Sequence, residues 1–113
     1  MTATEILERF AETIDTRDWA SLRLLLADDF TAHFVHTGQT FERDAWVAFN
    51  SDYPGHWRFR WEDVVVAGDR GVGRARVSNG EQTFHVASFL TVDHDGLVSK
   101  LVEVWTEGAP SGP

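Results

Sequence analysis

The first third of the chain repeats its apolar residues every three to four positions. Ile6, Leu7, Phe10 and Ile14 form one stripe; Trp19, Leu22, Leu25 and Leu26 form a second. That spacing predicts two amphipathic helices. Thr2 and Glu5 make a Thr-x-x-Glu capping box that starts the first. The polar run Asp15-Thr16-Arg17-Asp18 ends it and can cap the second, which Asp28-Asp29 ends. Phe30 to His36 alternates and reads as a strand, and Thr37 to Thr40 as a turn. A third helix is predicted with Phe41, Ala45, Trp46 and Phe49 on one side, broken by Pro54-Gly55.

From His56 onward the period falls to two, as Trp57, Phe59 and Trp61 alternate with Arg58 and Arg60. Turns at Gly68–Gly71, Asn79-Gly80 and Asp93–Gly96 divide this half into strands near 57–67, 72–78, 82–92 and 97–106. Asn79-Gly80 is the strongest hairpin signal, because both residue types tolerate positive φ. Helices first and an antiparallel meander second predict an α+β fold. Three helices on one face of a four- to six-stranded sheet leave the other face open. Residues 1–107 read as one domain, and Gly108 to Pro113 as a disordered tail.

Composition narrows the partners. With 113 residues and a formal charge of -8, the ten basic residues are scattered. A nucleic-acid interface needs them clustered, and an anionic membrane surface would repel this charge. The longest apolar runs, such as Leu24 to Ala27, are too short to span a bilayer. MTATEILERF has no apolar signal core. A cytoplasmic location is the expectation. No cysteine is present, which excludes a disulfide scaffold and thiolate chemistry. His33 and His36 point to opposite faces of a strand, His94 lies in a turn, and no paired-histidine spacing exists, so no metal is expected. Gly71-x-Gly73 lacks the third glycine and helix of a dinucleotide motif. No cofactor is expected.

Three segments carry a family resemblance: the Asp15-x-x-Asp18-Trp19 turn, the Leu25-Leu26-Ala27-Asp28-Asp29-Phe30 exit, and the final run from Asp95-Gly96-Leu97-Val98 to Glu103-x-Trp105. Together with the element order, they resemble the SnoaL-like branch of the nuclear transport factor 2-like superfamily. The resemblance implies a cystatin-like cone, in which three N-terminal helices pack on a curved, mostly antiparallel sheet around a small-molecule pocket. It does not name a reaction, because this fold hosts isomerases, dehydratases, cyclases, epoxide hydrolases and non-catalytic binders. Ketosteroid isomerases of this superfamily use a Tyr and two Asp residues. The matching positions here are Phe10, Phe34 and Ser88, so ketosteroid isomerase activity is not expected. The turn is also similar to that of scytalone dehydratase. Asp15 falls on that family's functional Asp, with Ile14 in place of its neighbouring Tyr, Phe34 in place of a second Tyr, and His56 near one catalytic His. The limonene epoxide hydrolase Asp–Arg–Asp set has no counterpart.

Glu103 is the sharpest catalytic candidate. Strand alternation puts it on one face with Leu101 and Trp105, the face that the resemblance turns into the cone. A carboxylate there is either a desolvated acid–base group or the partner of an arginine. Asp15 is either a base acting with His56 or a helix cap. Asn50 and Tyr53, at the end of the third helix, either hydrogen-bond a ligand or face water. Phe10, Phe34, Trp46, Phe59, Trp61, Ser88 and Trp105 either line the cavity or fill it.

Two functions follow. One is a cofactor-free isomerase, cyclase or dehydratase acting by proton transfer on an apolar or polyketide-like substrate. The other is a non-catalytic ligand-binding or dimerisation domain with a closed or vestigial pocket. A weaker third is a partner-binding module on the open sheet face. Ala87, Phe89, Val102 and Val104 have outward parity yet are apolar, which predicts a homodimer through that face.

Overall fold

The computed structural model describes residues 1–107 and 109–110. Three helices, α1 (Ala3–Asp15), α2 (Trp19–Leu24) and α3 (Arg43–Asp52), precede most of the sheet. The strands are β1 (Leu26–Phe34), β2 (Thr40–Glu42), β3 (Arg58–Ala67), β4 (Arg70–Ser78), β5 (Gln82–Val92), β6 (Val98–Trp105) and β7 (Ala109–Pro110). They lie in the order β2-β1-β6-β5-β4-β3, with β7 pairing β5. The pairs are antiparallel except β1–β6, which is parallel. Register shifts in β1–β6, β3–β4 and β5–β6 bend the strands. This is the expected α+β architecture.

The Thr2–Glu5 capping box starts α1, with both reciprocal bonds formed. Helix α1 closes in a Schellman arrangement. The Asp18 N–H donates to the Thr13 carbonyl and the Arg17 N–H to the Ile14 carbonyl. That motif puts Arg17 at φ +60°, where glycine is usual. Asp18 then caps α2 by accepting from the Ser21 N–H.

Four local expectations differ from the structure. Helix α2 ends at Leu24, because Leu26 pairs with Val98 of β6 and the Val98 N–H donates to the Leu25 carbonyl. Strand β1 therefore begins four residues before the expected Phe30. Phe41 lies in β2, opposite Ala32, rather than on α3. At the Asn79-Gly80 turn only Gly80 takes positive φ. Asn79 acts through its side chain, which accepts from the N–H groups of Glu81 and Gln82. Of the expected tail, Ala109–Pro110 pair with Thr83 and Gln82; Gly108 and residues 111–113 lie outside the described residues.

Helix α1 buries Ile6, Leu7 and Phe10 against the inner sheet face. Two glycines of β4 set how close it comes. A Cβ on Gly71 would sit 2.8 Å from a Leu7 methyl, and one on Gly73 would sit 2.4 Å from the Trp61 ring. Trp61 is fixed over Gly73 because its indole N–H donates to the Leu7 carbonyl at 2.8 Å. Gly73→Ala is therefore expected to displace a pinned ring and cost roughly 2 kcal/mol, as overpacking does. Gly71→Ala meets only the flexible end of Leu7 and should cost less. Urea unfolding of the two variants checks the order.

Candidate functional site

Alternation along β6 decides what enters the cone. Leu101 and Glu103 are buried, while Val104 is exposed on the other face. Register sets Glu103 between Phe34 of β1 and Ser88 of β5. The Ser88 hydroxyl donates to Glu103 Oε2 at 3.0 Å. Glu103 is 3% exposed, and no arginine, lysine or histidine pairs with it among the described residues. Burial pushes its carboxyl up to about 7, while the bond from Ser88 and the nearby indoles of Trp46 and Trp105 pull the other way.

Those two indoles are unusual. Trp46 comes from the buried face of α3 and packs on Phe10 and Phe30, with centroids 5.9 and 5.5 Å away. Trp105 ends β6. Both Nε1 atoms are buried and complete no hydrogen bond. A buried donor without a partner carries a desolvation cost of about 1–3 kcal/mol, so each is a place to look for function. Both lie close enough to favour the ionised form of Glu103.

A cavity of about 580 Å3 opens beside this group. Its wall is an aromatic chain running from β1 over α3 to β5 and β6. Phe34, Phe49, Tyr53, Trp57, Phe84 and Trp105 follow one another with centroids 5.4–6.3 Å apart. Glu103, Trp46, Asn50 and Phe59 also line it. Asn50 donates to the Trp46 carbonyl at 2.9 Å, and Tyr53 is half-exposed.

The other sequence candidates lie elsewhere. Phe10 is fully buried among Trp46, Phe59 and Trp61, and neither Phe10 nor Trp61 lines the cavity. Ser88 sits behind Glu103. Asp15 does not meet His56. Its carboxylate accepts from Arg58 Nε and Nη2 at 2.8 and 2.9 Å and from the Phe59 N–H at 2.9 Å. The bond from Arg58 holds its carboxyl below the usual range. Asp15 thus latches α1 to β3 rather than capping α2, and His56 is exposed away from the cavity lining. Sequence reasoning left out Arg17, Trp19, His36, Trp57 and Phe84, all of which line the cavity. Trp57 and Phe84 were legible as strand aromatics, whereas nothing in the pattern marks Arg17.

Residues 7–101 match the family model described as the SnoaL-like domain. The chain belongs to the SnoaL-like domain family. Among solved structures, it superposes on a provisionally assigned ketosteroid isomerase from Kribbella flavida with a TM-score of 0.86 and 25% identity, covering 96% of this chain and 81% of that one. A nuclear transport factor 2-like protein of unknown function from Mesorhizobium loti gives 0.77 at 26% identity, covering 92% and 90%. An epoxide hydrolase from M. tuberculosis gives 0.75 at 15% identity, covering 90% and 80%, and carries the fold alone. No curated protein matched. Among the described residues of this SnoaL-like domain, no cluster of three or more metal-ligating side chains occurs. Among the same described residues, no helix is long and apolar enough to cross a membrane.

The raised Glu103 pKa makes a stability prediction. The folded state holds this proton more tightly than the unfolded chain, so ionisation is penalised only when folded. The penalty is absent below the ordinary value of 4.5, grows as pH rises, and is complete above about 7. Glu103→Gln should match wild type near pH 4 and exceed it at pH 8 by up to about 3 kcal/mol, taking 1.36 kcal/mol per pKa unit. Thermal melts at the two pH values check this.

Proposed function

We propose that this SnoaL-like domain binds a small apolar molecule in the aromatic cavity and moves a proton on it, without a cofactor. Glu103 is the proton-transfer group. The observation that carries the reading is a buried carboxylate on the cavity wall, held by Ser88 and unpaired with any cation. A group titrating near neutrality can take and return a proton at working pH. In the base step, Glu103 removes a proton from the carbon next to a carbonyl. The C–H pair becomes the new C=C bond, and the carbonyl π pair moves to oxygen. The Trp46 and Trp105 N–H groups are the donors available to that oxygen. Returning the proton to another carbon gives isomerisation. Where the enolate carbon instead bonds to a second carbonyl carbon of the same molecule, that carbonyl's π pair moves to its oxygen, which takes the proton, and a ring closes. Passing it to a departing hydroxyl gives dehydration.

The non-catalytic alternative differs in one respect. A vestigial pocket would be filled, whereas about 580 Å3 is open here, within the range of ligand sites. Ketosteroid isomerase activity is not part of the proposal despite the Kribbella flavida relative. Phe10 and Phe34 offer no polar group, and the Ser88 hydroxyl is committed to Glu103. NMR of solvent deuterium exchange into a panel of enolisable apolar ketones tests the reading. Wild type should exchange at least one ketone, with a rate that rises through about pH 7. Glu103→Gln should abolish exchange, and Trp46→Phe should slow it roughly 100-fold, as loss of one oxyanion donor does. Exchange that survives Glu103→Gln removes Glu103 as the proton carrier.

We also propose a homodimer through the outer sheet face. Val65, Val72, Phe89 and Val102 stand abreast across β3, β4, β5 and β6, and Val65, Phe89 and Val104 are exposed. A contiguous apolar patch on a sheet face supports an interface. Sedimentation should give a dimer at micromolar concentration. Phe89→Glu should give a folded monomer, because it would bury an unpaired charge.

A further inference from the structure

Glu103 and its two indoles line the cavity, and so does a charge of the opposite sign. Arg17 lines the same cavity. It takes φ +60°, the one non-glycine residue with positive φ among those described. Its guanidinium lies 5.5 Å from the Trp19 ring centroid. Its hydrogen bonds, from Nη1 to the Gly55 carbonyl and from Nη2 to the Ser51 carbonyl, are both 3.5 Å long. Such distances are at the weak end of the range. No salt bridge involves Arg17 among the described residues. The contrast with Arg58 is direct: that cation also lines the cavity, but Asp15 holds it in two short bonds. Glu107 lines the cavity as well and is not paired with Arg17.

A half-buried arginine that has only long contacts to neutral carbonyls keeps most of its charge for a ligand. Its planar fork suits a carboxylate. The protein carries a formal charge of -8, so an anion gains nothing from the overall field and depends on a local cation. We infer that Arg17 forms an anion subsite, and that the ligand of this cavity is an apolar carboxylic acid whose carboxylate meets the Arg17 guanidinium. This rests on the cavity being a ligand site, as proposed above, and adds the class of ligand.

Two probes of similar shape separate the parts of this inference: 2-naphthylacetate, which is ionised at pH 6, and neutral 2-naphthylacetamide. Quenching of the cavity tryptophans reports binding of either. Wild type should bind the acid about tenfold more tightly than the amide, the scale of one charge-assisted hydrogen-bonded contact. The preference should weaken as salt is added. Arg17→Gly enters the left-handed region without a side-chain clash, so its unfolding midpoint should be no lower than wild type, and acid and amide should bind it equally. Arg17→Gln retains a donor for the two carbonyls and should also lose the preference. Arg17→Lys should keep part of it. An acid-to-amide ratio unchanged in both Arg17→Gly and Arg17→Gln overturns the anion subsite while leaving the cavity a ligand site. Binding of neither probe to wild type overturns both readings.

Discussion

Keeping the Glu103 carboxylate dry is the constraint on which the other features of this cone depend. An isolated carboxylate on an inner strand face is expensive when ionised. The fold meets that cost with one hydroxyl and with placement, not with a counter-ion. Ser88 can reach Glu103 because β5 and β6 are antiparallel and in register at that pair. Phe34 shields its other side because β1 runs parallel to β6 and brings that ring opposite. Trp46 covers it from α3, which is carried on the β2 connection. Removing any of these elements would admit water to the carboxylate or leave it without a donor, and its acid–base character would return toward that of an ordinary glutamate.

The latch between Asp15 and β3 works at the opposite end of the same problem. Its ion pair is partly solvated, with Arg58 on the cavity lining, and it fixes α1 to the strand that supplies Phe59. Two carboxylates therefore have opposite roles because their surroundings differ. Asp15 has two N–H groups of one guanidinium and a backbone N–H, so its charge is welcome. Glu103 has one hydroxyl bond, two indole N–H groups that complete no bond, and no cation, so burial keeps its charge unwelcome.

Much of this was legible in residue patterns. The two-residue period after His56 placed four strands to within two residues at each end, because half-buried strands must alternate. Parity put Glu103 and Val104 on opposite faces, and the family resemblance said which of the two turns inward. Three of the misses share a cause: each depends on a partner in another element. Leu26 reads as helical until Val98 is there to pair with it. Phe41 joins a helical stripe unless Ala32 lies opposite. Asp15 looks like a cap because Arg58 is 43 residues away. Arg17 carries no local sign of its position, since the left-handed turn it occupies is more often given to glycine. The aromatic residues were readable as apolar, but whether a ring fills a core or lines a space depends on packing. Phe10, in a helical stripe, and Phe34, in an alternating strand, ended on different sides of that distinction.

The two ends of the sheet have a further consequence. Strand β2 is three residues long, and β3, at the other edge, carries Arg58, Arg60, Glu62 and Asp63 around an irregularity between Trp61 and Asp63. Short length, charge and a bulge each prevent another chain from adding its backbone to an open edge. A molecule with an apolar sheet face but blunted edges is biased toward closed, face-to-face pairs. The strand-to-strand growth that leads to fibres is disfavoured, so this chain can keep an exposed apolar surface without the aggregation that a flat, uncharged sheet of the same composition would invite.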